Sequence, residues 1–104
     1  MNPVSVTRPS DGVLLVVLAG DVDYTNASSV ADVIRAAVRM ERPHAVRIDM
    51  AGVEFLDSSG IAVLVKAMKA AREAGAEYRV SAPQPRVLDQ LRMTGLTDLF
   101  PVDG

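Results

Sequence analysis

An unbroken aliphatic run from Val13 to Ala19 is the feature that most restricts how this chain can fold. The run is far shorter than the roughly 20 apolar residues that a helix needs to cross a bilayer. Valine and leucine in a short continuous run are typical of a β-strand, and the lack of any polar residue in it indicates burial on both faces. The sequence therefore predicts a buried strand at this position.

Strands and helices are predicted to alternate along the rest of the chain. Helices are recognised by apolar residues at 3.6-residue spacing, and strands by short aliphatic or alternating segments. The predicted elements are a strand at 4–8, a turn at 9–12, a strand at 13–19, a helix from 25 or 26 to 40, a strand at 45–50, a loop at 51–56, a helix from 57 or 58 to about 74, a strand at 77–81, a helix that begins at 83–85 and ends at 95, and a candidate short strand at 101–102.

Particular side chains are predicted to face the core or to end the helices. The first helix carries one apolar stripe that includes Val33, and the loop at 51–56 is predicted to be anchored by Phe55 and Leu56. Gly75 stands where the second helix is expected to end, because glycine accepts the left-handed conformation that closes a helix.

This order of elements predicts an α/β fold. Strand–helix–strand connections of this length require parallel neighbours with right-handed crossovers. Charged residues alternate with apolar ones at Arg47, Asp49 and Arg79, which indicates that one face of the sheet is only partly covered. We therefore expect one domain over residues 1–104, with a mixed, mostly parallel sheet of four to five strands and helices mainly on one face.

Composition excludes several classes of function. The chain has no cysteine, so disulfides, zinc–thiolate sites and thiol nucleophiles are excluded, and its single histidine, His44, is predicted to be exposed in a turn. A net charge of −2 gives no basic surface for nucleic acid or anionic membranes. The N-terminus does not resemble a signal peptide. We expect a cytoplasmic protein with no metal, no cofactor, no membrane contact and no direct contact with nucleic acid.

The segment Asp57-Ser58-Ser59-Gly60 stands between the predicted loop at 51–56, which follows a strand, and a strongly periodic helix. Aspartate and serine are favoured at the first position of a helix, because their oxygens accept unpaired backbone N–H groups, so the segment is explained by capping alone. A second serine is not needed for capping, however, and a helix N-terminus is where an added phosphate is best tolerated. Both interpretations remain open from the local sequence.

The whole chain resembles the STAS-domain anti-sigma factor antagonists. The segment from Phe55 to Ile61 is similar to the signature of that family, which surrounds its serine pair. Gly20-Asp21-Val22-Asp23 matches the segment that follows the family's second strand, and Thr94-Gly95-Leu96 is similar to a late element of the family. Ala62 departs from the pattern, which often has glycine there.

The resemblance implies a partner-switching cycle. In that family the unphosphorylated antagonist binds an anti-sigma factor that is also a serine kinase, and so releases a sigma factor. The kinase phosphorylates the serine after the aspartate, which here is Ser58, and a serine phosphatase reverses the modification. The antagonist is not an enzyme and has no catalytic residue. The partner-binding residues implied for this chain are Asp23, Asp57, Ser58, Ser59 and Gly60.

Two other functions compete with this prediction. One is a non-switching STAS subunit of a membrane transporter complex, which is disfavoured because a scaffold needs no phosphate acceptor at Ser58. The other is a small enzyme or nucleotide-binding domain, which is disfavoured because the sequence has no nucleophile–base pair and no glycine-rich phosphate loop. Asp21 and Asp23, which would share one face of an extended segment, form a candidate catalytic or metal site. It lacks a histidine or a third carboxylate in position to complete the site.

Overall fold

In the computed structural model, which describes residues 3–103, the aliphatic run forms the second strand of a five-stranded sheet. The elements in chain order are β1 (Val4–Ser10), β2 (Val13–Val22), α1 (Ala27–Glu41), β3 (Ala45–Leu56), α2 (Ser58–Glu73), β4 (Glu77–Ser81), α3 (Pro85–Met93), a 3₁₀ turn (Leu96–Asp98) and β5 (Val102–Asp103). Strand β1 is antiparallel to β2, and the other neighbouring pairs are parallel. The predicted mixed, mostly parallel sheet is confirmed.

Burial alternates along β2, so the helices cover one face of the sheet. Leu14, Val16 and Leu18 are fully buried, whereas the residues between them, Leu15 and Val17, are only partly buried. In the strand register Val16 lies beside Ile48, which lies beside Val80, and all three are fully buried. The predicted one-sided helical layer is confirmed, and the prediction that residues 13–19 are buried on both faces is wrong.

The uncovered face explains that error. On it, Leu15 lies between Thr7 of β1 and Arg47 of β3. Leu15 is half-buried, because neighbouring side chains on this face cover part of it and no helix in residues 3–103 packs over it. An aliphatic run in a central strand therefore forms without a second layer of helices.

Strand β3 continues through the segment that the sequence predicts to be a loop. Residues 51–56 remain in the sheet because β2 is longer than predicted and pairs with them as far as Val22 and Leu56, with two shifts of register. Leu56 is buried as predicted, but Phe55 is 47% exposed and does not anchor the segment to the core.

The helices begin and end close to the predicted positions. Asn26 is the N-cap residue of α1, and Gly75, with a φ of +70°, follows α2 in the predicted left-handed conformation. In α1 the predicted inward position Val33 is 41% exposed, and Ala31 is buried in its place. The buried stripe of α1 is therefore turned slightly from the predicted one.

Tyr78 joins β4 to α2 inside the core. Its hydroxyl donates a hydrogen bond of 2.8 Å to the Leu64 carbonyl, and its ring packs edge to face against Phe100 with centroids 5.0 Å apart. We expect Tyr78→Phe to lower the free energy of unfolding by about 1 kcal/mol, because one buried hydrogen bond is lost. Urea unfolding measures the effect. The exposed Tyr24 supplies the control, since Tyr24→Phe should leave the stability unchanged.

The same side chain predicts a dependence on alkaline pH. Burial raises the pKa of Tyr78 far above its ordinary value. A group whose pKa is higher in the folded than in the unfolded protein stabilises the fold below its unfolded pKa, and that contribution is lost as the pH rises above about 10. Stability should therefore fall more steeply above this pH in the wild type than in Tyr78→Phe, and equal slopes would contradict the assignment.

Candidate functional site

Two loops meet at the edge of the sheet where β2 and β3 end. Parallel neighbouring strands end at the same edge, so Asp23 and Asp57, which follow the two strands, are brought together there. The backbone N–H of Tyr24 donates a hydrogen bond of 3.1 Å to the Asp57 carboxylate, and Asp57 N lies 3.4 Å from the Val22 carbonyl. All of the predicted site residues lie at this edge, on the β2–α1 loop or at the start of α2.

Asp57 is the N-cap residue of α2, which settles the alternative between Asp57 and Ser58. One carboxylate oxygen accepts the backbone N–H of Gly60 at 3.0 Å, and the other accepts that of Tyr24. The first bond satisfies an unpaired donor in the first turn of the helix. The second ties that turn to the loop after β2, so a single side chain fixes the two parts of the site.

Gly60 allows the first turn of α2 to approach the sheet. A Cβ atom at this position would lie 2.3 Å from the Val22 carbonyl oxygen and 2.6 Å from a Leu56 methyl group. Neither contact is sterically possible, so the start of α2 requires glycine here. Gly60 is buried, and its evident role is to position the helix; the partner contact implied for it stays a prediction.

The two serines differ in exposure. Ser58 is exposed on the first turn of α2, whereas Ser59 is half-buried. Within residues 3–103 the Ser58 hydroxyl has no hydrogen-bond partner, and the first turn of α2 contains no acidic residue. Ser58 is therefore the more accessible of the two hydroxyls at a helix end that favours negative charge.

The loop after β2 is held by hydrogen bonds that the sequence did not predict. The Asp23 carboxylate accepts the N–H of Thr25 at 2.9 Å and also its hydroxyl, and these bonds lower the pKa of Asp23. The Asn26 amide accepts the N–H of Asp23 and donates to the carbonyl of Asp21. The signal for this arrangement was present, because aspartate, threonine and asparagine close together favour side-chain bonds to nearby backbone.

The acidic residues of this edge do not form a metal site. Residues 3–103 contain no group of three or more histidine or carboxylate side chains arranged to hold a metal ion. Asp21 and Asp23 are separated in role, since Asp23 bonds Thr25 while Asp21 lies beside Phe55 in the β2–β3 register. None of the described helices has both the length and the apolar character that a membrane crossing requires.

We expect Asp57→Ala to destabilise the domain by about 1–2 kcal/mol, because it removes a helix cap and a second bond to the neighbouring loop. Asp57→Asn keeps a side-chain oxygen for one of the two N–H groups and should lose less. Urea unfolding of both variants measures the difference. Equal stability of Asp57→Ala and the wild type would contradict the bridging role.

Known proteins are similar to this chain in sequence and in fold. The model of the STAS domain matches residues 5–103. An anti-sigma F factor antagonist from Paenibacillus polymyxa is 29% identical over 91 residues, which cover 88% of this chain and 78% of that protein.

Solved structures of anti-sigma factor antagonists have the same fold as this chain. An anti-sigma factor antagonist from Mycobacterium paratuberculosis is 30% identical, with a TM-score of 0.84 over 96% of this chain and 83% of that chain. The Bacillus cell fate determinant SpoIIAA in its phosphorylated form is 15% identical and shares the fold, with a TM-score of 0.74 over 97% of this chain and 91% of that chain. This chain thus belongs to the STAS-domain family of anti-sigma factor antagonists.

Proposed function

We propose that this protein is a phosphorylation-controlled antagonist of an anti-sigma factor, with Ser58 as the modified residue. The observation that carries the proposal is the exposed Ser58 hydroxyl on the first turn of α2, next to the capping residue Asp57. The unphosphorylated form binds an anti-sigma factor that is also a serine kinase and releases a sigma factor. A serine phosphatase regenerates that form.

The start of α2 can carry a phosphate without unfolding. Phosphorylation adds about −1.5 to −2 charges and three strong acceptors. The positive end of the helix dipole favours that charge, and the first turn has no acidic residue to oppose it. Asp57 is the nearest carboxylate in sequence, but both of its oxygens are occupied by backbone N–H groups. The shared fold of phosphorylated SpoIIAA supports this conclusion.

The phosphate does oppose binding to the kinase, because this partner must cover Ser58. A dianion at the centre of such a contact has to be desolvated or to meet the carboxylates of the site, Asp23 and Asp57 among them. Each 1.4 kcal/mol lost is a factor of about ten in affinity, so two or three such units suffice for a switch. A large conformational change is not required.

The other site residues have supporting roles in this proposal. Asp57 positions Ser58, Gly60 sets the distance of the helix from the sheet, and Asp23 and Ser59 contact the kinase. The kinase supplies the base and the nucleotide site for phosphoryl transfer. This chain is then a substrate rather than an enzyme, works in the cytoplasm where its partners are, and touches neither nucleic acid nor membrane.

The site of modification is tested with the anti-sigma factor kinases of the same organism. We expect incubation with ATP and the correct kinase to add one phosphate to the wild type and to Ser59→Ala, and none to Ser58→Ala. Intact-mass spectrometry followed by peptide mapping measures this. A phosphate on Ser59 in the wild type would contradict the choice of Ser58 as the modified residue. If none of the kinases phosphorylates the wild type, the proposed function is wrong.

The switch itself is tested by Ser58→Asp. We expect this variant to bind the kinase at least about tenfold more weakly, because a permanent charge replaces the hydroxyl. Its thermal midpoint should remain close to that of the wild type, because the helix N-terminus tolerates the charge. Calorimetric titration and thermal unfolding measure the two effects. Unchanged affinity, or an unfolded variant, would contradict the mechanism.

A further inference from the structure

The two exposed aromatic rings of this chain lie at the same end of the molecule as Ser58. The sequence has only four aromatic residues. Tyr78 and Phe100 pack against each other in the core, whereas Tyr24 is 81% exposed and Phe55 is 47% exposed. Single exposed apolar residues need no explanation, but exposed rings that lie together at one site mark a contact surface.

Both rings belong to residues at the ends of the two strands that lead into the Ser58 site. Tyr24 donates its backbone N–H to the Asp57 carboxylate, and Phe55 precedes Asp57 by two residues at the end of β3. The backbone of Tyr24 is therefore tied to the residue that caps α2, and the backbone of Phe55 is held in the sheet by its pairing with β2.

An exposed methionine extends this surface. The side chain of Gln84 donates to the Ala51 carbonyl and that of Gln90 to the Leu56 carbonyl, so α3 runs along β3 toward the Ser58 end. Met93, the last residue of α3, lies almost one turn beyond Gln90 and is 87% exposed. We refer to Tyr24, Phe55 and Met93 together as the apolar rim.

Two carboxylates lie close to Phe55 in the apolar rim. Asp21 lies beside Phe55 in the β2–β3 register, and Glu54 is its neighbour in sequence. Both are exposed, and neither forms an ion pair within the described part of the chain. A partner that covers the rim therefore gains from basic side chains at its edge.

We infer that the apolar rim seats the anti-sigma factor, through an apolar patch bordered by basic side chains on that partner. This inference rests on the proposed function and deepens it, because it separates the residues that supply affinity from the serine that switches it. Aromatic side chains that are buried on binding supply a large share of the energy of an interface. The rim then supplies the binding energy, and the phosphate on Ser58 opposes it at the same surface.

The inference is tested with alanine variants at the three rim positions and a matched control. Met40 is 82% exposed in the last turn of α1, which leads into the start of β3 and so lies at the opposite end from Ser58. We expect Tyr24→Ala and Phe55→Ala each to weaken kinase binding about tenfold or more, mainly through faster dissociation, and Met93→Ala to weaken it less. Met40→Ala should bind like the wild type.

Kinetics of Ser58 phosphorylation provide a second measurement. The rim variants should raise KM and leave kcat nearly unchanged, because the rim binds the kinase without touching the transferred phosphate. Asp21→Asn and Glu54→Gln should slow association at low salt, and the difference from the wild type should disappear at high salt. Circular dichroism of each variant verifies that it is folded.

The outcomes separate this inference from the proposed function. If the wild type is phosphorylated on Ser58 but the folded rim variants bind the kinase as Met40→Ala does, the inference is overturned and the switch stands. If no kinase binds or modifies the wild type, the proposed function fails. If the rim variants abolish self-association in sedimentation experiments and leave kinase binding intact, the occupant is a second copy of this chain and the inference is again overturned.

Discussion

The first turn of α2 can lie against the end of β2 only because residue 60 has no side chain. The Val22 carbonyl occupies the space that a Cβ atom of Gly60 would need. This close approach puts the N–H of Gly60 and that of Tyr24 within reach of one carboxylate, Asp57, which bonds both. The position of Ser58 depends on this pair of constraints, since the serine is the residue between the cap and the glycine that has an exposed hydroxyl.

The one-sided helical layer determines where such a site can be built. Because α1 and α2 cover the same face, both begin at the edge where the parallel strands β2 and β3 end, and their N-termini are neighbours there. Backbone N–H groups at that edge favour negative charge. A phosphate acceptor at this edge therefore uses a property of the whole fold, and the opposite edge, where the helices end, would disfavour the same modification.

The sequence predicted the fold well because its signals are local and periodic. Apolar spacing identified the helices, and the connections between strands fixed their parallel order. Four predictions failed where tertiary contacts decide: the continuous run at 13–19 is covered on one face only, the segment at 51–56 is held in the sheet by β2 and by the side chains of Gln84 and Gln90, and both Phe55 and Val33 are exposed. Apolarity alone does not distinguish a ring that anchors a loop from one that faces a partner.

The residues of the candidate site also divide into those that the local sequence predicts and those that depend on tertiary contacts. Asp57, Ser58 and Gly60 were predicted from a contiguous motif, and the local geometry of a helix start accounts for each of them. Tyr24 could not be predicted, because its link to the site is a backbone bond to a residue far away in sequence. Nothing in the sequence near Tyr24 indicates that Asp57 will reach it.

In the proposed switch a charge alters binding without a change of fold, because hydrogen bonds hold the residues around Ser58 in place. Both oxygens of Asp57 are already bonded, and the loop after β2 is closed by Asp23 and Asn26. A phosphate on Ser58 would gain little by competing for the same N–H groups, because each exchange leaves a carboxylate oxygen unpaired. We therefore propose that the added charge stays exposed at the end of the sheet where Tyr24 and Phe55 lie, so that a partner that buries the rings would also have to desolvate the phosphate. In this proposal, affinity from the rings and repulsion from the phosphate act in the same contact.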